Sequence, residues 1–83
     1  MSREVLLRKV IYKSLNRGCK ENDVLVGQFA AGQLQDFSDE ELLIYADFLE
    51  EDDYQIYHWI LKNEITPDKY LDIITEIRKF HSL

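Results

Sequence analysis

Cysteine occurs once in this chain, proline once and glycine three times. A lone thiol, Cys19, makes no intramolecular disulfide, which agrees with a reducing compartment. With so little proline and glycine, architectures of strands and tight turns lack their punctuation. No apolar run approaches the ~18–20 residues that a membrane-crossing helix needs, and "MSREVLLRKV" has no apolar block or small-residue cleavage site of a secretory leader. A soluble protein with no direct membrane insertion is expected. His58 and His81 stand in no zinc spacing, and the acidic run at 50–53 lacks the glycine and alternating ligands of a calcium loop, so no metal is expected. There is no phosphate-cradling glycine loop, and Ser14, Ser38 and Ser82 sit in no nucleophile elbow. No catalytic residue is assigned, and no cofactor is expected to stay bound to the chain itself.

What is present is a modest globular composition: 83 residues, 46% of them apolar and 12% aromatic. That suffices for one small domain, residues 1–83, with little margin of stability. Charge is unevenly placed. Residues 1–20 hold Arg3, Arg8, Lys9, Lys13, Arg17 and Lys20 against Glu4, a net of +5, while residues 21–83 hold four cations and fifteen acids, a net of −11. An acidic protein is repelled by phosphate backbones at long range, so no nucleic acid is expected. A nucleic-acid reader would have to rely on Arg3, Arg8, Lys9 and Lys13. The basic segment serves either to meet an acidic patch on a partner or to neutralise the chain's own acidic remainder.

Helical spacing runs through the whole chain. Val5, Leu6, Leu7, Val10, Ile11 and Leu15 form the stripe of a first helix, and Gly18 suits the position just past its end. A second helix is expected over residues 20–31, with Val24, Leu25, Phe29 and Gln28 near one face and Gly32 closing it. "FSDEELL" offers Ser38 as N-cap with Glu41 three residues on, the capping-box pattern. The following helix draws its buried side from Leu42, Leu43, Tyr45, Ala46 and Leu49. Asp52 or Asp53 caps "YQIYHWILK", in which Trp59 is the expected centre of the core rather than part of an aromatic patch with Tyr54 and Tyr57. Thr66 and Pro67 open a last helix whose stripe is Tyr70, Ile73, Ile74 and Ile77. The fold class is all-α, a compact bundle of five short helices.

One stretch, "LNRGCKEND", stands out. Gly18 at a helix junction removes the side chain that would hold another surface away, Arg17 offers a planar fork for a carboxylate, phosphate or carbonyl, and Glu21 lies within one turn. The residues alone leave two possibilities: a plain helix junction with a weak surface ion pair, worth ~0–1 kcal/mol, or a working surface.

"LRKVIYKSLNRGCKENDVLVGQFA" resembles the FAD assembly factor family of succinate dehydrogenase, the SdhE-type flavinators, whose hallmark Arg-Gly-x-x-Glu is matched by Arg17, Gly18 and Glu21. Asp23 and Phe29 also fit that pattern, whereas Asn16 stands where a bulkier basic residue or histidine is common and Asn22 where an apolar one is usual. A second block, "LLIYADFLEEDDYQIYHWI", resembles the family's acidic turn before an aromatic helix. The resemblance implies a chaperone-like helical assembly factor, not an enzyme, that promotes covalent attachment of FAD to a histidine of its client. The client is the flavoprotein subunit of succinate dehydrogenase, or of fumarate reductase, and the FAD and the chemistry belong to it. Arg17, Gly18 and Glu21 are implied as the partner-binding surface, with Asp23 and Arg8 assigned to it as well. The free protein is expected to be a monomer, in the bacterial cytoplasm because the domain follows Met1 directly, or in the mitochondrial matrix if eukaryotic. The alternative is an antitoxin-like or generic helical protein-interaction module.

Overall fold

The computed structural model describes residues 2–17, 20–62 and 64–83. Gly18 and Cys19 lie outside the described residues. Five helical segments and no strand occur among the described residues, which is the all-α architecture expected. The first is α1 (Arg3–Leu15), begun by the Ser2 hydroxyl accepting the Val5 N–H. Its start is fastened by the Arg3 guanidinium, which donates to Asp39 Oδ1 at 2.9 Å, Gln35 O at 2.9 Å and Phe37 O at 2.6 Å.

The second segment is not the plain helix expected. It runs as α2 (Lys20–Asn22), a π-turn (Asp23–Gly27), α3 (Gln28–Gln33) and a 3-10 turn (Leu34–Asp36). The wider π-turn shifts the faces of the helix. Val24 therefore points to solvent at 47% exposure, and Gln28 is exposed too, while Val26, Gly27 and Phe29 go inside. Gly32 does not close the helix; it lies within α3. The glycine that matters to packing is Gly27, where an added Cβ would lie 3.0 Å from Leu15 Cδ2 and 3.2 Å from Ser14 O. Its bareness lets the π-turn approach the end of α1.

Helix α4 (Asp39–Phe48) opens with the expected capping box: Glu41 N donates to Ser38 Oγ at 3.1 Å and Ser38 N to Glu41 Oε1 at 2.8 Å. It buries Leu42, Tyr45 and Phe48, with Leu49 just beyond, whereas Leu43 is 61% exposed. Helix α5 (Asp53–Leu61) follows Asp52, whose extended backbone occupies the cap position without a side-chain cap bond. Trp59 is buried, as expected. The last segment starts later than anticipated. Pro67 precedes a 3-10 turn (Asp68–Tyr70) that leads into α6 (Leu71–Phe80), and the Thr66 hydroxyl turns back to Glu64 O instead of capping it.

The core is one contiguous cluster, with Phe29, Tyr45, Phe48, Trp59 and Tyr70 forming its aromatic spine. Two tyrosine hydroxyls enter it with partners. Tyr45 shares a 2.8 Å bond with Ser14, and Tyr70 donates to Asp47 at 2.8 Å and Glu51 at 3.2 Å. Burial pushes the Tyr45 phenol above its usual range; burial together with those two carboxylates does the same for Tyr70. Much of the basic first helix is spent internally: Arg3 meets Asp39 and Lys13 meets Glu50 at 2.8 Å.

Candidate functional site: the α1–α2 junction

At the end of α1 the Asn16 amide donates back to Tyr12 O, and the Arg17 N–H donates to Asp23 Oδ1 at 2.8 Å. Asp23 therefore reaches back from the second segment and fixes the direction in which the chain leaves α1. The Arg17 side chain does not project outward. Its fork donates from Nε to Asp53 Oδ1 at 2.8 Å, from Nη1 to Leu49 O, and from Nη2 to Glu51 O at 3.0 Å. Only 11% of that side chain is exposed.

The chemistry anticipated for Arg17, a planar fork holding a carboxylate and carbonyls, is present, but the groups it holds belong to its own chain. Its ion pair is with Asp53, across the fold. The physical reason is that the turn after α4 leaves the Leu49 and Glu51 carbonyls without helical partners, beside a carboxylate. A guanidinium satisfies all three groups from one plane.

Asn22, the departure from an apolar position, is wholly buried here. Its amide donates to Asp53 O at 2.9 Å and Asp53 Oδ1 at 3.2 Å, so α2 and the start of α5 share the same carboxylate. Asn22 Oδ1 is buried with no hydrogen-bond partner among the described residues. The acidic run is accordingly more than a solvated cap. Glu50 meets Lys13, which holds its carboxyl below the usual range; Glu51 meets Tyr70, and Asp53 meets Arg17. Among the described residues no group of three His, Cys, Asp or Glu side chains could hold a metal ion.

Glu21 is exposed on the outer side of α2. It borders a cleft of about 430 Å³ lined by Asp53, Tyr54, Tyr57 and His58. Tyr54 stacks on His58 with centroids 4.0 Å apart, and His58 Nδ1 lies 3.0 Å from Glu64 Oε1. On the other side of Arg17 a groove of about 280 Å³ runs between Tyr12, Asn16 and Glu50. The structure thus brings Arg17, Asp23 and Glu21 to one junction. Arg8 is on the exposed face of α1, paired with Glu4 at 3.1 Å. The second sequence block meets the first at Asp53. Sequence reasoning missed Asp53 as the hub and Tyr54 and His58 as the cleft wall; the adjacency of "DDY" to the quoted motif exists only in three dimensions.

The described residues form a small all-α protein whose Arg17 side chain is held by the acidic turn between α4 and α5. A family profile described as the flavinator of succinate dehydrogenase matches residues 8–81, and the chain belongs to that family. It is similar to succinate dehydrogenase assembly factor 2-A, mitochondrial, of Drosophila persimilis, at 36% identity over 80 residues, covering 94% of this chain and 50% of that one. Succinate dehydrogenase assembly factor 2, mitochondrial, of Komagataella phaffii is 43% identical over 67 residues, 80% of this chain and 35% of that one. The corresponding protein of Scheffersomyces stipitis is 40% identical over 72 residues, 83% and 48% of the two chains. The chain spans about half the length, or less, of these curated relatives. Among the described residues no helix is long and apolar enough to cross a membrane.

Proposed function

We propose that this chain acts as an assembly factor: it binds the flavoprotein subunit of succinate dehydrogenase and promotes covalent attachment of FAD to it. The observation that carries this is the family match over residues 8–81, which spans the entire Arg17–Asp53 junction. The factor supplies position, and the flavin, its acceptor histidine and the bond-forming chemistry stay with the client. Holding reacting groups in a near-attack geometry lowers a barrier substantially, and a factor that binds one client conformation better than others is sufficient to populate it.

Within this proposal Glu21 is an exposed contact group, Gly18 is a contact residue outside the described residues, and Asp23 and Arg17 keep the junction in shape. Arg17 is a positioning residue. Its guanidinium holds the α1 end against the α4–α5 turn, so the client meets a surface that Arg17 organises. Arg8 offers a cation further along α1. The chain works as one unit, as a monomer, in whichever compartment assembles the client: the bacterial cytoplasm or the mitochondrial matrix. A fumarate reductase flavoprotein is a second client of the same chemistry.

The test is co-expression with the flavoprotein subunit, reading covalent flavin as fluorescence on a denaturing gel. Wild type raises the signal. Glu21→Lys, at an exposed position, abolishes it together with complex formation while the variant keeps its helical far-UV circular dichroism. A signal equal with and without the chain overturns the proposal. Capture of a different partner by wild-type protein, with no flavoprotein among the captured material, would favour a generic interaction module instead.

A further inference from the structure

Away from the Arg17 junction, a groove runs between the start of α4 and α6. Its larger part, about 490 Å³, and a smaller hollow of about 70 Å³ share the walls Phe37, Glu41, Asp72 and Glu76. Its apolar surface comes from Phe37, Ile44 and Ile73. Phe37 is half-buried and held in place: its ring is edge-on to Phe29 at 5.9 Å and to Tyr45 at 6.0 Å, and its carbonyl accepts from Arg3. Ile44, 42% exposed, is an apolar side chain that α4 leaves to solvent. Exposed carboxylates stand along the rims, Asp36 from the 3-10 turn, Glu41 from α4, and Asp72 and Glu76 from α6. The two lysines at the groove are already engaged, Lys69 with Asp47 at 3.4 Å and Lys79 with Glu76 at 3.8 Å. Among the described residues no cation lies within ion-pair distance of Asp36, Glu41 or Asp72.

We propose that this groove docks a basic amphipathic segment of a protein partner, with an apolar side chain seated on Phe37, Ile44 and Ile73 and lysine or arginine side chains paired with Asp36, Glu41 and Asp72. Charge complementarity selects that occupant. An acidic segment or a phosphate group meets like charge on both the α4 and the α6 side. A wholly apolar segment would cover carboxylates and leave them with neither water nor a counter-charge. A basic segment with an apolar anchor satisfies floor and rims together, as a helix laid in a groove does. The receiving surface is preformed, because Arg3 and the aromatic packing fix Phe37, and a preformed surface costs less ordering on binding. None of these groove residues takes part in the Arg17 network, so this surface is separate from the junction and does not depend on the identity of the flavoprotein client.

The chain is titrated with a capped helical peptide of lysine, leucine and alanine whose leucines share one face, and the side-chain resonances of Phe37, Ile44, Ile73 and Thr75 are followed by NMR. Those resonances move on addition of the peptide, and added salt weakens the response. The glutamate counterpart leaves them still. A peptide of the same composition with its leucines scattered around the helix binds at least about tenfold more weakly, the scale of one leucine left out of contact. Asp36→Lys and Asp72→Lys each weaken binding about tenfold, because an attraction becomes a repulsion of similar size. Asp72→Asn weakens it less, and Ile44→Gln weakens it through the floor alone. All four variants keep their helical far-UV circular dichroism. Absence of a response at the groove overturns the proposal, as does wild-type affinity in Asp36→Lys and Asp72→Asn. Equal binding of the scattered-leucine peptide also overturns it, since a basic peptide is then merely drawn to an acidic chain. Self-association of the wild-type chain that Asp36→Lys abolishes assigns the groove to a second copy and overturns it too. None of these results touches the flavoprotein reading, which the co-expression assay judges separately.

Discussion

Replacing Arg17 with alanine separates an arginine that organises a surface from one that reaches out of it. The substitution removes the guanidinium donors from the Asp53 carboxylate and from the Leu49 and Glu51 carbonyls at once. Charged hydrogen bonds contribute about 1.5–3 kcal/mol each, but they are not additive here. Removing one member of a buried pair costs about 3–5 kcal/mol, and this pair keeps some solvent, the side chains being 11% and 29% exposed. Water that reaches Asp53 offsets part of the loss, so the expected cost is about 2–3 kcal/mol, at or below the lower edge of that range. For a domain of this size about 1 kcal/mol shifts the midpoint by roughly 4–8 °C, which places Arg17→Ala about 10–20 °C below wild type by far-UV circular dichroism. Arg17→Lys recovers only a fraction, because one ammonium does not span a carboxylate and two carbonyls. Combining Arg17→Ala with Asp53→Asn costs less than the sum of the two, as expected for directly coupled residues. The reasoning is refuted if Arg17→Ala unfolds within about 2–4 °C of wild type, the span of an ordinary surface change, yet no longer binds the flavoprotein. The guanidinium would then act outward.

Further outcomes follow from the packing. Gly27→Ala destabilises by about 1–3 kcal/mol, as overpacking does, because the new methyl meets a backbone carbonyl at 3.2 Å; Gly32→Ala, in ordinary contact with Phe80 at 3.5 Å, stabilises by about 0.5–1 kcal/mol. Paired chemical-denaturation curves check both. The raised phenols of Tyr45 and Tyr70 stabilise the fold fully below the unfolded tyrosine value of about 10, and that contribution is lost as pH rises from there toward their folded values. Alkaline unfolding is correspondingly shallower in Tyr45→Phe and in Tyr70→Phe. At the acid end, the Tyr70 hydroxyl holds the Asp47 carboxyl below its usual range. Its contribution is present above about pH 4 and fades as pH falls through the lowered folded value, so Tyr70→Phe also flattens the acid limb. Ser38→Ala removes one half of the capping box and lowers stability by about 1 kcal/mol in the same assay.

The local signals in the chain were legible wherever one element's chemistry decided them. The capping box at Ser38 and Glu41 is written in four consecutive residues, and the stripe of Tyr70, Ile73, Ile74 and Ile77 needs only helical period to be read. The register of the second segment was not legible, since a π-turn at Asp23–Gly27 is chosen by how closely Gly27 can approach Ser14 and Leu15. For the same reason Val26 was missed from the core, while on α4 Phe48 was missed and Leu43, one of the candidates for the buried side, is exposed.

By itself the sequence determined that this chain is all-α, where its helices begin to within a few residues, and which motif marks its family, because period, caps and short motifs are local properties. Only the tertiary structure decided what Arg17 touches. A long side chain chooses among acceptors brought to it by the fold, and the Leu49 and Glu51 carbonyls and the Asp53 carboxylate, more than thirty residues away, reach it only once α1 packs against the turn between α4 and α5. The same closure sets Tyr54 beside Glu21.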